Sequence, residues 1–309
     1  MTKLLIPAIQ DVILRRELIE AGHTDRDIAK LVKAGELARA RHGAYVDGPR
    51  WQAEDETGRL RLRSRAVLRQ AKAPVVLSHI AAAAEYDAPL WDVPTDIVHV
   101  TRRDRKAGRN EAGVRQHQGR LAPEDVVTRA GVDVTSATRT AIDVTTVAGT
   151  ESALCVVNHL LHERHTDLTA IRRRYESMVH DPHTLHTDLV LRLADPRVES
   201  IGESRTAFVM WKQGIPYAEP QFVITDEVGR EIARLDFAWP RRGRWLEFDG
   251  KQKYVKFLRE GESVTDAVLR EKEREDLIRE LTGWRCLRIT WADLANPQRL
   301  AARIRRFLG

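Results

Sequence analysis

The run from Arg234 to Tyr254, Arg-Leu-Asp-Phe-Ala-Trp-Pro-Arg-Arg-Gly-Arg-Trp-Leu-Glu-Phe-Asp-Gly-Lys-Gln-Lys-Tyr, constrains the fold more than any other part of the chain. It reads as a strand, a tight turn and a second strand. Strand side chains alternate faces with a period of two. Glu247 and Asp249 therefore share one face, while Leu246 and Phe248 point the other way into a core. Asp236 lies in the first strand. Three carboxylates converging beside Lys251 and Lys253 are costly unless a cation neutralises them. Oxygen ligands clustered in this way suit Mg²⁺ or Mn²⁺, and two-carboxylate metal sites often cleave phosphodiesters. The competing reading is a solvated strand face ending in an Asp-Gly turn. The strongly apolar residues that the acids interrupt favour the metal site.

At 309 residues the chain is long enough for two or three domains, each with its own core. Its 51 Lys and Arg against 45 Asp and Glu give a formal charge of +6, which favours a polyanionic partner, although the charge is spread along the sequence. Cys155 and Cys286 sit among apolar residues and read as small core side chains rather than a disulfide or metal framework. Apolar runs such as Ala73–Leu77 are too short to cross a bilayer, and the start of the chain lacks the pattern of a signal peptide. The expectation is a cytoplasmic protein with no membrane partner.

Residues 1–50 suggest a winged helix-turn-helix. Pro7–Ala21 places Ile9, Val12, Ile13, Leu14, Leu18 and Ile19 largely on one helical face, and Gly22 ends the helix. Thr24 caps a second helix over Asp25–Ala34. Leu37–Val46, with a glycine at its bend, suits a two-stranded wing. Helix, turn, helix and basic ribbon together match a DNA-reading unit, the competing reading being a small helical cap that binds nothing. Arg26, Lys30 and Lys33 would be its helix contacts, and Arg39, Arg41 and His42 its wing contacts.

Residues 51–195 read as a mixed α/β region followed by helices. Expected elements are a charged helix over Glu54–Lys72, a strand at Val75–Leu77, a helix over His79–Tyr86 capped by Ser78, strands at Ile97–Thr101 and Val114–His117, and a strand turning into a helix over Asp133–Asp143. His79, His99 and His117 are far apart in sequence and read as separate structural or surface histidines. Asp195-Pro-Arg197 is a plausible hinge. Residues 196–309 then form a compact α/β unit: a helix bearing Glu203, three strands, a long charged helix, a strand and a terminal helix.

This last domain resembles the restriction-endonuclease-like, or PD-(D/E)xK, superfamily, and within it the group related to very-short-patch repair endonucleases, of the domain-of-unknown-function 559 type. The residues carrying the resemblance are Gly-Glu-Ser at 202–204, Leu-Asp-Phe-Ala-Trp at 235–239, Glu-Phe-Asp-Gly-Lys-Gln-Lys-Tyr at 247–254, Glu-Lys-Glu-Arg-Glu-Asp at 271–276 and Gly-Trp-Arg-Cys-Leu-Arg-Ile-Thr-Trp-Ala-Asp-Leu at 283–294. The earlier part, through Leu-Ser-His at 77–79 and Val-Thr-Ser-Ala-Thr-Arg-Thr-Ala-Ile-Asp at 134–143, resembles the antitoxin of type IV abortive-infection toxin–antitoxin systems, a transcriptional repressor. The nuclease resemblance implies Glu203 as the first-helix acid, Asp236 as the metal-bridging acid and Glu247 as the second-strand acid, together holding Mg²⁺ or Mn²⁺. The lysine of that pattern falls on Asp249 here. Lys251 takes its place if Gly250 bends the chain; otherwise Asp249 is a further ligand. Lys253 and Arg274 would face substrate phosphate.

These readings imply an α/β multidomain protein that binds DNA and cleaves phosphodiester bonds with a divalent cation. The alternative is an antitoxin-type transcriptional regulator with a catalytically degenerate nuclease fold. RNA is a third substrate class, since folds do not fix substrate. A cognate toxin or a second copy of the chain are the further partners this reading allows.

Overall fold

The structure, a computed structural model, describes residues 11–104, 106, 108–111, 113–178, 186–226, 228–250 and 264–309. The chain divides into two compact units, Met1–Arg192 and Leu193–Gly309.

The first unit opens with β1 (Ile13–Leu14), α1 (Arg15–Glu20), α2 (Asp25–Lys33), β2 (Leu37–Arg41) and β3 (Ala44–Asp47). The strands form a sheet in the order β1-β3-β2, with Ile13 opposite Tyr45. The expected helix over Pro7–Ala21 is thus corrected: within the described residues helix begins only at Arg15, and Ile13–Leu14 is strand. The β-branched pair Val12 and Ile13 favours extended backbone. Extension also buries Val12 and Leu14 with Ala40, Ala44 and Val46, while Leu18 packs separately with Ile28, Leu37 and Tyr45. The second helix begins where expected. Thr24 Oγ1 accepts from the Asp27 amide and the Thr24 amide donates back to the Asp27 carboxylate, a reciprocal cap. Gly43, at φ +71°, makes the hairpin bend.

Next come α3 (Gly48–Ala53) and α4 (Glu56–Gln70), capped by Asp47 and Asp55. The charges of α4 are not simply solvated. Arg69 bonds the Val12 carbonyl and Glu17, and Arg65 pairs with Glu85 at 2.7 Å, so the helix fastens the β1–β3 segment to the rest of the first unit.

The rest of that unit is a six-stranded sheet with helices. Its elements are β4 (Val75–Leu77), α5 (His79–Glu85), β5 (Val98–Arg102), β6 (Asn110–Glu111), β7 (Val114–His117), β8 (Val126–Arg129), β9 (Val132–Thr135) and α6 (Ala137–Thr145). Helices α7 (Thr150–His162), α8 (Leu168–Glu176) and α9 (Thr187–Leu193) close the segment. The strand order is β6-β7-β5-β4-β9-β8, with β4 parallel to β9 and β5 parallel to β7. Ala81, Ala82, Ala83 and Ala84 are all fully buried, so α5 is a slim helix enclosed on every side.

The second unit runs α10 (Ile201–Lys212), β10 (Glu219–Thr225), β11 (Glu231–Trp239), β12 (Arg244–Asp249), α11 (Val264–Thr282), β13 (Arg285–Thr290), α12 (Trp291–Leu294) and α13 (Pro297–Leu308). The sheet order is β10-β11-β12-β13. The first three strands are antiparallel neighbours, and α11 is the crossover that returns β13 parallel to β12. Leu246, Phe248 and Ile289 pack on one face with Val209, Leu300 and Ile304 of the helices. Trp245, Leu235 and Ala233 pack on the other with Ile278 of α11. Each such large apolar side chain contributes about 1.5–3 kcal/mol by leaving water.

Candidate functional site

The second unit buries three acids on elements that touch one another. Glu203 on α10, Asp236 on β11 and Glu247 on β12 are 4%, 7% and 4% exposed. Gly202 makes the approach of helix to strand possible: a Cβ there would fall 2.0 Å from the Phe248 ring. Glu203 follows directly, in the first turn of α10. Its Oε1 accepts from Ser200 Oγ at 2.7 Å, and its Oε2 accepts from Gln221 Nε2 at 2.9 Å. Gln221 reaches it from a strained backbone position, φ +53°, in the middle of β10. The period-two alternation of a strand breaks at Asp236 in β11. Leu235 packs on the α11 face and Phe237 on the α10 face, with Asp236 between them.

Asp236 Oδ2 accepts the Phe248 amide at 2.8 Å. Burial, reinforced by the Asp236 charge, pushes the Glu203 carboxyl up to about 7. Glu247 Oε1 meets Arg274 Nη2 at 3.1 Å, and the same nitrogen donates to the Arg234 carbonyl at 2.8 Å. The Arg274 guanidinium also lies 5.9 Å from the Trp245 ring centroid. The structure thus ties Arg274 to Glu247. Asp249, at the end of β12, is half-buried. Lys251 and Lys253 lie outside the described residues.

Among the described residues, no three of these acids bring their oxygens within 4.8 Å of one another. The donor set is all oxygen and suits Mg²⁺. The Glu203–Asp236 pair fits such an ion best, because Glu203 keeps its proton near neutral pH where a cation would replace it. Glu247 shares the α11 face of β12 with Trp245, where Arg274 holds it.

The DNA contacts expected in the first unit occupy its surface. Arg26, Lys30 and Lys33 are exposed on α2 beside Asp25 and Asp27, and Lys30 lies 3.6 Å from Asp27. Arg39 and His42 are exposed on the β2–β3 hairpin, with Arg39 6.0 Å from the Tyr45 ring centroid. Arg41 is half-buried, and burial lowers its pKa from the ordinary guanidinium value.

A second cluster, also in the first unit, corrects the reading of three unrelated histidines. Parallel pairing sets His99 beside Arg115 and Thr101 beside His117, so all four share one face of the β5–β7 pair. His79 follows β4 after a single residue, Ser78. One ring nitrogen from each of His79, His99 and His117 lies within 4.8 Å of the others. His99 Nδ1 is 2.9 Å from His117 Nε2, and His79 stacks on His117 at 3.6 Å between centroids. Burial holds all three below the ordinary imidazole range: His79 well below it, His99 at about 4 and His117 at about 3. Ser78 does not cap α5 with its side chain; its Oγ lies 2.9 Å from His79 Nδ1 and accepts from Thr101 Oγ1. The signal available in the sequence was the chain of strands that carries these residues, but spacing alone could not give its register.

No helix among the described residues is long and apolar enough to cross a membrane. Cys155 and Cys286 form no disulfide; the first is buried and the second half-buried. No protein-family model matches the sequence, and no curated protein matches it.

Proposed function

We propose that the second unit hydrolyses phosphodiester bonds of DNA with a divalent metal ion, and that the winged-helix segment of the first unit binds the duplex. The observation that carries this reading is the buried set Glu203, Asp236 and Glu247, placed by a helix and the two central strands of a four-stranded mixed sheet. Buried acids of one sign persist where a cation completes them. That helix–three-strand–helix–strand order is what a restriction-endonuclease-like unit would use.

In this reading Asp236 and Glu203 would hold the ion, and Glu247 would serve as a third ligand in place of its Arg274 contact. When bound, Mg²⁺ lowers the pKa of a water and offsets charge on the phosphate. Gln221 and Ser200 orient Glu203, and the Phe248 amide orients Asp236. Arg274 would supply a guanidinium for a phosphate oxygen in place of Glu247. On the first unit, Arg26, Lys30, Lys33, Arg39 and His42 would contact backbone phosphates and set the register.

The second reading, a regulator of antitoxin type with a silent nuclease fold, is favoured by one feature. Glu247 is already neutralised by Arg274, and Asp249 stands where a lysine would assist the water. Cleavage of duplex DNA in Mg²⁺ separates the two. Asp236→Ala and Glu247→Ala are expected to abolish cleavage while duplex affinity stays within about threefold, since the phosphate contacts lie elsewhere. Wild-type protein that binds duplex in a salt-sensitive way without cutting any DNA substrate would establish the regulator.

A further inference from the structure

We propose that His79, His99 and His117 form a zinc site whose fourth coordination position opens into the adjacent cavity. Three neutral imidazoles on a borderline divalent ion, with one position left for water or an anion, are a recurring arrangement for Zn²⁺. Two nitrogens bound to one tetrahedral Zn²⁺ at about 2.0–2.1 Å lie about 3.3 Å apart. The His99 Nδ1 to His117 Nε2 separation of 2.9 Å needs to open by only a few tenths of an ångström. One ring nitrogen of His79 lies within 4.8 Å of the other two, and because His79 and His117 stack at 3.6 Å and 17°, one of these rings turns out of the stack when both lone pairs meet at the ion.

Two independent features point the same way. His79 adopts φ +51°, a left-handed conformation that L residues with side chains rarely take. Such a position costs on the order of 1–3 kcal/mol and survives where the surrounding structure needs that side chain in place. The second is Asp143 on α6. Its side chain is 3% exposed, and Oδ2 accepts no hydrogen bond among the described residues although it lies 4.0 Å from His79 Nδ1. A carboxylate on the far side of a ligating imidazole fixes the ring and raises its basicity. Ser78 Oγ, 2.9 Å from the same Nδ1, is the nearer member of that outer shell. A stack of structural histidines needs neither the strained backbone nor the uncommitted oxygen.

The cavity beside the triad has a volume of about 490 Å³ and is lined by His79 and His117, by Arg109 and Arg115, and by Gln116 and Asn110. Arg139 also borders it, but its charge is offset by Asp143 at 2.6 Å and by Asp125 at 3.7 Å. Arg109 is paired with Glu111 at 3.2 Å, which leaves Arg115 as the main cationic wall; the ligand class that fits an open position on a cation beside it is a small oxyanion, bound to the ion and held by the Arg115 guanidinium.

The test is metal titration of the full chain after chelator treatment, in excess Mg²⁺ so that oxygen sites are filled. One equivalent of Zn²⁺ is expected to bind and raise the melting temperature. Co²⁺ is expected to give the intense visible bands of a four-coordinate site. In His117→Gln, Zn²⁺ affinity is expected to fall by more than the roughly 10–100-fold typical of losing an outer-shell partner, and in Ser78→Ala by about that range. Asp236→Ala is expected to bind Zn²⁺ as wild type does, which keeps this site separate from the nuclease reading. Inorganic phosphate, as the probe anion, is expected to shift the Co²⁺ bands. Wild-type protein that takes up no Zn²⁺, or uptake that a folded His117→Gln variant retains unchanged, overturns the site. Bands that phosphate leaves unshifted overturn the open position.

Discussion

Glu203 shows how a single buried acid can report the state of the whole site. Its folded pKa of about 7 lies above the ordinary 4.5, so the folded state holds the proton more tightly than the unfolded chain. The stability it contributes is therefore complete below about pH 4.5 and is lost as pH rises toward about 7. His99 and His117, depressed to about 4 and 3, act in the opposite sense, because their stabilising neutral forms are lost on acidification. The difference between wild type and Glu203→Gln isolates the acid. In metal-free buffer the variant is expected to gain on the order of a few kcal/mol over wild type between pH 5 and 8, read by chemical denaturation at each pH. Added Mg²⁺ is expected to narrow that gap at pH 8 by stabilising only wild type. A difference that does not change with pH would remove Glu203 from the site. The acids themselves were legible in the sequence: the alternation of Leu246, Glu247, Phe248 and Asp249 placed Glu247 on the face opposite the core residues that flank it. Gln221 was not, because a left-handed residue inside a strand leaves no trace in hydrophobic pattern.

At the scale of elements, helix α10 depends on a residue with no side chain. Gly202→Ala places a methyl 2.0 Å from the Phe248 ring, deep in the core beneath β12. Overpacking of this kind costs about 1–3 kcal/mol and here moves Glu203 away from Asp236 as well. Equilibrium denaturation is expected to show that loss, with the Glu203 pH signature reduced alongside it; wild-type stability in the variant would contradict the packing described. Elements fixed by local chemistry were readable in advance. The Thr24 cap and the Gly43 hairpin both begin or bend chain where short-range chemistry dictates. The segment Val12–Leu14 was not, since its helical-looking spacing is overridden by pairing with β3, a contact some thirty residues away in sequence (Ile13 with Tyr45). The histidine cluster was hidden for the same reason. Its members meet only through the β4-β5-β7 order, and parallel pairing of β5 with β7 is a tertiary fact.

For the whole molecule, the proposed function assigns duplex binding to one unit and chemistry to the other, each described separately. The binding half makes its own demand. Phosphate contacts release counterions, so replacing Arg26 and Lys30 together with Ala is expected to lower the slope of log affinity against log salt by about 2 without altering sequence preference. An unchanged slope would move the duplex off α2. The central claim, however, is that the buried acids perform metal-dependent hydrolysis. It is tested most directly by following supercoiled plasmid with the full-length protein in Mg²⁺, in EDTA, and with Asp236→Ala in Mg²⁺. Nicked or linear product is expected in the first case and intact plasmid in the other two. Intact plasmid in all three, or equal cutting by the variant, would contradict it.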